Sequence, residues 1–129
     1  MSDAFASDFG LSRIGQIAVP VTDIDRAVAF YRDVLGMRFL FQAPPGLGFF
    51  DCGGVRLMLD TPAAAQAGQG GVLYFQVSDL QAAFEALSAR GVAFEAKPHL
   101  IARMPDHELW MAFFRDPDRN VLALMCEVR

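Results

Sequence analysis

Histidine and cysteine are scarce in this 129-residue chain, which holds two of each. Cys52 and Cys126 lie too far apart for a metal-binding pair and are too few for a disulfide framework. Reduced thiols and a cytoplasmic setting are therefore expected. The two histidines, His99 and His107, belong to no Ser-His-Asp order, and the chain has neither a P-loop nor a dinucleotide fingerprint. Positive charge is also short: 11 Lys and Arg face 15 Asp and Glu, for a net charge of −4. That balance offers no basic footprint for nucleic acid. No apolar run reaches the roughly 18 residues that span a bilayer. The opening MSDAFASDFGLSR, with Asp3 and Asp8, does not read as a signal peptide.

What is present is apolar and periodic. Hydrophobic residues make up 53% of the chain and twelve are Phe, enough for one well-buried domain. The chain also repeats itself. Val21-Thr22-Asp23-Ile24 matches Val77-Ser78-Asp79-Leu80 at an offset of 56, and Gly36 matches Gly91 at 55, so one residue is lost inside the second helix. Each copy reads strand, helix, strand, strand, strand, an α+β arrangement of two tandem βαβββ modules. Residues 1–12 form a loose tail, 13–60 module one, 61–70 a small polar linker and 71–129 module two.

The elements follow from local signals. Residues 14–21 form a strand, and Thr22 with Asp25 resembles a capping box for a helix ending at Gly36. Strands follow at Met37–Gln42, Leu47–Asp51 and Val55–Asp60, the last two closing through Cys52-Gly53-Gly54. In module two, Val72–Val77 is a strand, Ser78 with Gln81 caps a helix to Arg90, and Val92–Lys97 is the next strand. His99–His107 is a longer loop, and Glu108–Arg115 and Asn120–Glu127 form the last hairpin.

Four strands with a helix on one face leave the other face uncovered. Alternation assigns Leu57, Leu59, Leu73, Phe75, Val77, Leu122 and Leu124 to the helix side. It assigns Gln16, Ala18, Arg56, Met58 and Asp60 of module one to the open side. Val72, Tyr74, Gln76, Val121, Ala123 and Met125 are their counterparts in module two. Two curved sheets side by side would place this second set around a shared central cavity. Of it, Gln16, Arg56, Met58, Val72, Tyr74, Val121, Ala123 and Met125 are the expected ligand-binding residues.

The doubled module, FYRDVLGM at Phe30–Met37 and RDPDRNVLAL at Arg115–Leu124 resemble the vicinal oxygen chelate superfamily. That group includes glyoxalase I, bleomycin-resistance proteins, extradiol dioxygenases and methylmalonyl-CoA epimerases. The resemblance covers residues 13–128 and implies a glyoxalase-like curved sheet. It also implies a divalent metal in the catalytic members, with one ligand from each of four strands. Counted from the shared landmarks, those positions are Gln16, Met58, Val72 and Ala123. Only Gln16 carries a donor of the expected kind, and a shift of one residue offers Leu57, Leu73 and Leu122 instead. One amide oxygen cannot hold a hard or borderline divalent ion.

The expectation is therefore a protein without a metal or other cofactor that binds a small apolar or aromatic molecule, as in the bleomycin-resistance branch. The rival is a metal-dependent lyase, isomerase or dioxygenase using Gln16 with His99, His107 or Glu108. Against it, HLIARMPDHE reads more readily as a polar lid with ordinary surface histidines, and Arg103 as a solvated loop charge rather than a clamp for an anion. A homodimer is the expected assembly, and neither membrane nor nucleic acid is an expected partner.

Overall fold

The computed structural model describes residues 9–129; residues 1–8 of the expected tail lie outside the described part. Two four-stranded mixed sheets account for the strands. The first holds β1 (Gln16–Pro20), β2 (Arg38–Ala43), β3 (Leu47–Cys52) and β4 (Val55–Asp60), in the order β1-β4-β3-β2. The second holds β5 (Leu73–Gln76), β6 (His99–Arg103), β7 (Glu108–Arg115) and β8 (Val121–Val128), in the order β5-β8-β7-β6. The first and last strands of each module pair in parallel (β1 with β4, β5 with β8), and the remaining pairs are antiparallel. Each parallel crossover carries one helix, α1 (Ile24–Ala29) and α2 (Leu80–Ala89). This is the α+β fold of two βαβββ modules.

The helices correct the sequence reading in two places. Their N-caps are the aspartates, not Thr22 and Ser78: Asp23 accepts from the Arg26 N–H at 3.1 Å and Asp79 from the Ala82 N–H at 3.0 Å. A carboxylate can satisfy an orphan N–H and also oppose the positive end of the helix, so it wins the position. The one-residue difference between the copies has a physical location. Past Ala29 the first helix widens into a π turn, Phe30–Val34, whereas α2 stays α-helical throughout. A π turn absorbs one extra residue without breaking the helix. Gly36 and Gly91, at φ +74° and +96°, end the two helices.

The second strand of module two is displaced. Val92–Lys97, expected as a strand, contributes only an isolated bridge from Phe94 to Phe114, and His99–Arg103, expected within a loop, is β6. Pro98 interrupts the run and lacks an N–H for the ladder. The chain instead closes a tight hairpin, with the Met104 N–H on the His107 carbonyl at 2.8 Å. The linker is also more ordered than expected. It contains a 3-10 turn at Ala64–Gln66, and its Gly68 N–H donates to Asn120 Oδ1 at 2.8 Å.

The side chains assigned to the helix side do face a single core. Leu57, Leu59, Leu122 and Leu124 are buried, and Leu73, Phe75 and Val77 pack against them, with Phe50, Phe114 and Tyr31 at the centre. Each fully buried Leu or Phe contributes about 1.5–3 kcal/mol relative to exposure. Gly48 sets the approach of α1 to sheet one: a Cβ there would lie 3.0 Å from Val28 Cγ2 and 3.2 Å from Ile24 Cδ1.

A polar clasp joins the modules. Asp116 Oδ1 accepts the N–H groups of Asp118 and Asn120, both at 2.9 Å, and its Oδ2 accepts from Asn120 Nδ2 at 2.9 Å and from the Tyr31 hydroxyl at 2.8 Å. Asn120 Nδ2 also donates to the Pro20 carbonyl at 2.8 Å. Asp118 Oδ1 accepts from the Thr22 N–H at 3.0 Å, from the Thr22 hydroxyl and from Arg26 Nη2 at 3.0 Å. The turn after β7 is thus fastened to both ends of the first helix.

Burial, followed by the Asp116 and Asp118 carboxylates, pushes the Tyr31 phenol well above its ordinary 10.0. Up to that pH both the folded and the unfolded chain keep the proton. Above it the unfolded chain releases the proton first, and stability falls by about 1.4 kcal/mol per pH unit from this group. In urea titrations from neutral pH to pH 11, Tyr31→Phe should cost about 1–3 kcal/mol at neutral pH and flatten the alkaline decline. The caps give a second prediction. Asp79→Ala should cost about 1 kcal/mol in chemical denaturation, and Ser78→Ala much less.

Candidate functional site

The candidate site is the open face of each sheet. In sheet one, cross-strand register places Gln16 beside Arg56 and Ala18 beside Met58. Gln16 Nε2 reaches Met58 Sδ at 3.8 Å. Phe49 pairs with Met58, and Phe41 with Phe49. The Phe41 and Phe49 rings stack at 4.8 Å with 29° between their planes. Phe49 is only 8% exposed and Phe41 is 49% exposed, so this face ends in an uncovered aromatic ring.

In sheet two the pairs are Tyr74 with Ala123 and Gln76 with Met125, continued by Phe113 and Met111 of β7. Tyr74 meets Phe113 edge-on at 6.1 Å, and His99 lies over the other flank of Phe113 at 6.3 Å. Tyr74 is 48% exposed, whereas Ala123 has no exposed surface. Ala123 is therefore floor beneath its cross-strand neighbours, not a contact surface.

The seam between the modules brings some of the expected residues together and separates others. Val72 and Tyr74 line a cavity of about 350 Å³ with Ile17, Val55 and Leu57. Ala18, Val72 and Val121 share a smaller cavity of about 130 Å³ with Asn120. Gln16, Arg56 and Met58 stay together on sheet one, and Met125 stays on sheet two beside Met111. A further cavity of about 260 Å³, which sequence reasoning did not anticipate, opens on the helix side between Leu35, Met37, Val77, Ala83 and Leu87.

The rival acid–base residues do not converge. His99 is on the open face, with Nδ1 3.1 Å from the Lys97 carbonyl. His107 stands in the β6–β7 turn, with Nδ1 2.7 Å from Asp106 and Nε2 3.9 Å from Glu127. Glu108 accepts from Arg103 Nε at 3.2 Å and from the Trp110 indole N–H at 3.2 Å. His107 and Glu108 are neighbours in sequence, yet each is engaged by different partners. Arg129, and then His107, hold the Asp106 carboxyl below its ordinary range.

The residues present do not suit the divalent metal of the catalytic relatives. Of the four counted positions, Gln16 offers one amide oxygen, Met58 a soft thioether, and Val72 and Ala123 no donor. Among the described residues no group of three or more His, Cys, Asp or Glu side chains is placed to hold a metal ion. Cys52 is half-buried and Cys126 buried, and both thiols are free. Burial, and then the Asp51 carboxylate, raises the Cys52 thiol above its ordinary range.

The sequence pattern of the Glyoxalase/Bleomycin resistance protein/Dioxygenase superfamily matches residues 13–124. The chain belongs to that superfamily. A glyoxylase-like domain-containing protein of Didymella fabae is 33% identical over 127 residues, covering 87% of this chain and 91% of its own. Two solved structures of similar shape are 26% identical, each with a TM-score of 0.71. One is lactoylglutathione lyase from Agrobacterium tumefaciens, covering 91% of this chain and 95% of its own. The other is TnmS3, an antibiotic binding protein from Streptomyces sp. CB03234, covering 92% of this chain and 98% of its own. Superfamily membership gives the scaffold; within it, the side chains on the open faces are this chain's own.

Proposed function

We propose that this superfamily member binds a small apolar or aromatic molecule on its open sheet faces, without a metal, and acts by sequestering or carrying it. The observation that carries the reading is the composition of those faces. Two of the four counted metal positions have no donor and a third has only the soft Met58 thioether, while Phe41 and Tyr74 hold about half their surface in solvent. Apolar surface of that kind gains most when a guest covers it. The methionines Met58, Met111 and Met125 supply flexible, polarisable walls that adapt to a guest. The likeness to TnmS3, an antibiotic binding protein, supports the same direction. Lactoylglutathione lyase is equally similar by identity, but the lyase reading needs acid–base groups near Gln16. His99, His107 and Glu108 are each held by other partners.

The working form is a homodimer in the cytoplasm, in which a second copy closes over faces that one chain leaves open. Within the described residues no helix is long and apolar enough to cross a membrane.

Thermal unfolding with Ni, Co, Mn or Zn tests the proposal. A metal that fills a site at a hundredfold excess over its Kd adds about 2.7 kcal/mol, several degrees for a chain of this size. We expect no such rise with any of the four ions. A rise that Gln16→Ala abolishes would establish the metal-dependent alternative.

A further inference from the structure

The open face of sheet one is not uniformly apolar. Next to the aromatic row runs a second cross-strand row, Arg38, Asp51, Arg56 and Gln16. The Arg56 guanidinium carbon lies 5.8 Å from the Phe49 ring centroid. A guanidinium laid on a ring spends its flat face and keeps its edge, the fork of N–H donors that fits a carboxylate. The carboxylate nearest in register is turned away: Asp51 Oδ1 receives the Gly54 N–H at 3.1 Å in the β3–β4 turn. Among the described residues the ion-paired arginines are Arg26, Arg32, Arg103, Arg115 and Arg129, and Arg56 makes neither an ion pair nor a side-chain hydrogen bond. In a chain with more acid than base, an unclaimed guanidinium sits on Phe49, the buried ring on which the half-exposed Phe41 also stacks, so cation and exposed ring share one support.

We infer that the guest on this face is a planar aromatic molecule carrying an anionic group (carboxylate, sulfonate or phenolate), with its rings on Phe41 and its anion in the Arg56 fork. The inference rests on the small-molecule reading above and adds the charge and orientation of the guest. Apolar contact alone would take a neutral aromatic at least as readily, because an anion costs more to desolvate. A charge-assisted, bidentate hydrogen bond reverses that order.

Calorimetric titration with 2-naphthoate and with its neutral analogue 2-naphthamide, on the full chain, is the test. The native protein should take the acid about tenfold more tightly than the amide, the difference expected of one charge-assisted hydrogen bond. Arg56→Met keeps the apolar stem and should bring the two probes level, and Arg56→Lys should restore only part of the preference. Phe41→Ala should weaken both probes together, and amide chemical shifts should map the acid to β2, β3 and β4. Equal binding of acid and amide, or a preference that survives Arg56→Met, overturns this inference and leaves the small-molecule reading standing. Binding of neither probe overturns both.

Discussion

Asp116 is the point through which the two halves of the molecule hold each other. Its side chain has been taken out of water, and it repays that cost by accepting four hydrogen bonds, two from its own turn, one from Asn120 and one from Tyr31. A buried carboxylate missing even one of these would be expensive. The turn, the π-helical end of the first helix and the aromatic centre of the core are thus fixed together. Once Tyr31 is anchored, Phe50 and Phe39 pack in series behind it at centroid distances of 6.0 and 5.4 Å. The helix-side faces of both sheets are then committed to one interior, and the opposite faces are left for something else.

That division separates the residues that make the scaffold from those that face a guest. The scaffold rests mainly on the helix-side residues and the clasp, and of the open-face residues Ala123 and Phe49 are themselves buried. The four positions that the family resemblance counts for a metal all belong to the open-face set. In this chain they have become an amide, a thioether and two aliphatic groups. The remaining polar residues near the hairpin of module two, His107, Glu108, Arg103 and Asp106, have paired with one another and with the chain's end.

Much of the architecture was legible because the repeat and the period-two patterns agree. Alternation in β4, β5 and β8 sorted Leu57, Leu59, Phe75, Leu122 and Leu124 to the helix side, where they pack in the core. Local competition was less legible. Thr22 and Ser78 look like caps, but each precedes an aspartate that takes the role, and Thr22 is recruited by Asp118 across 96 residues of sequence. The displaced β6 reflects a hairpin closure that strand propensity cannot anticipate. The aromatic platform was hidden by a bulge. Period two would put Phe39 and Phe41 on one face, yet the register shifts between them, so Phe39 packs on Phe50 in the core and Phe41 stacks on Phe49 outside.

The clasp also carries a lesson about the duplication itself. The module-one counterpart of Asp116 is Asp51, whose side chain, among the described residues, accepts only from the Gly54 N–H of its own short turn. Fastening runs one way, from the second copy to the first. A lone first half would strand the Tyr31 hydroxyl and the Thr22 N–H, and a lone second half would leave Asp118 Oδ1 without its three donors. The two copies share a fold yet meet as lock and key, one supplying the carboxylates and the other the donors.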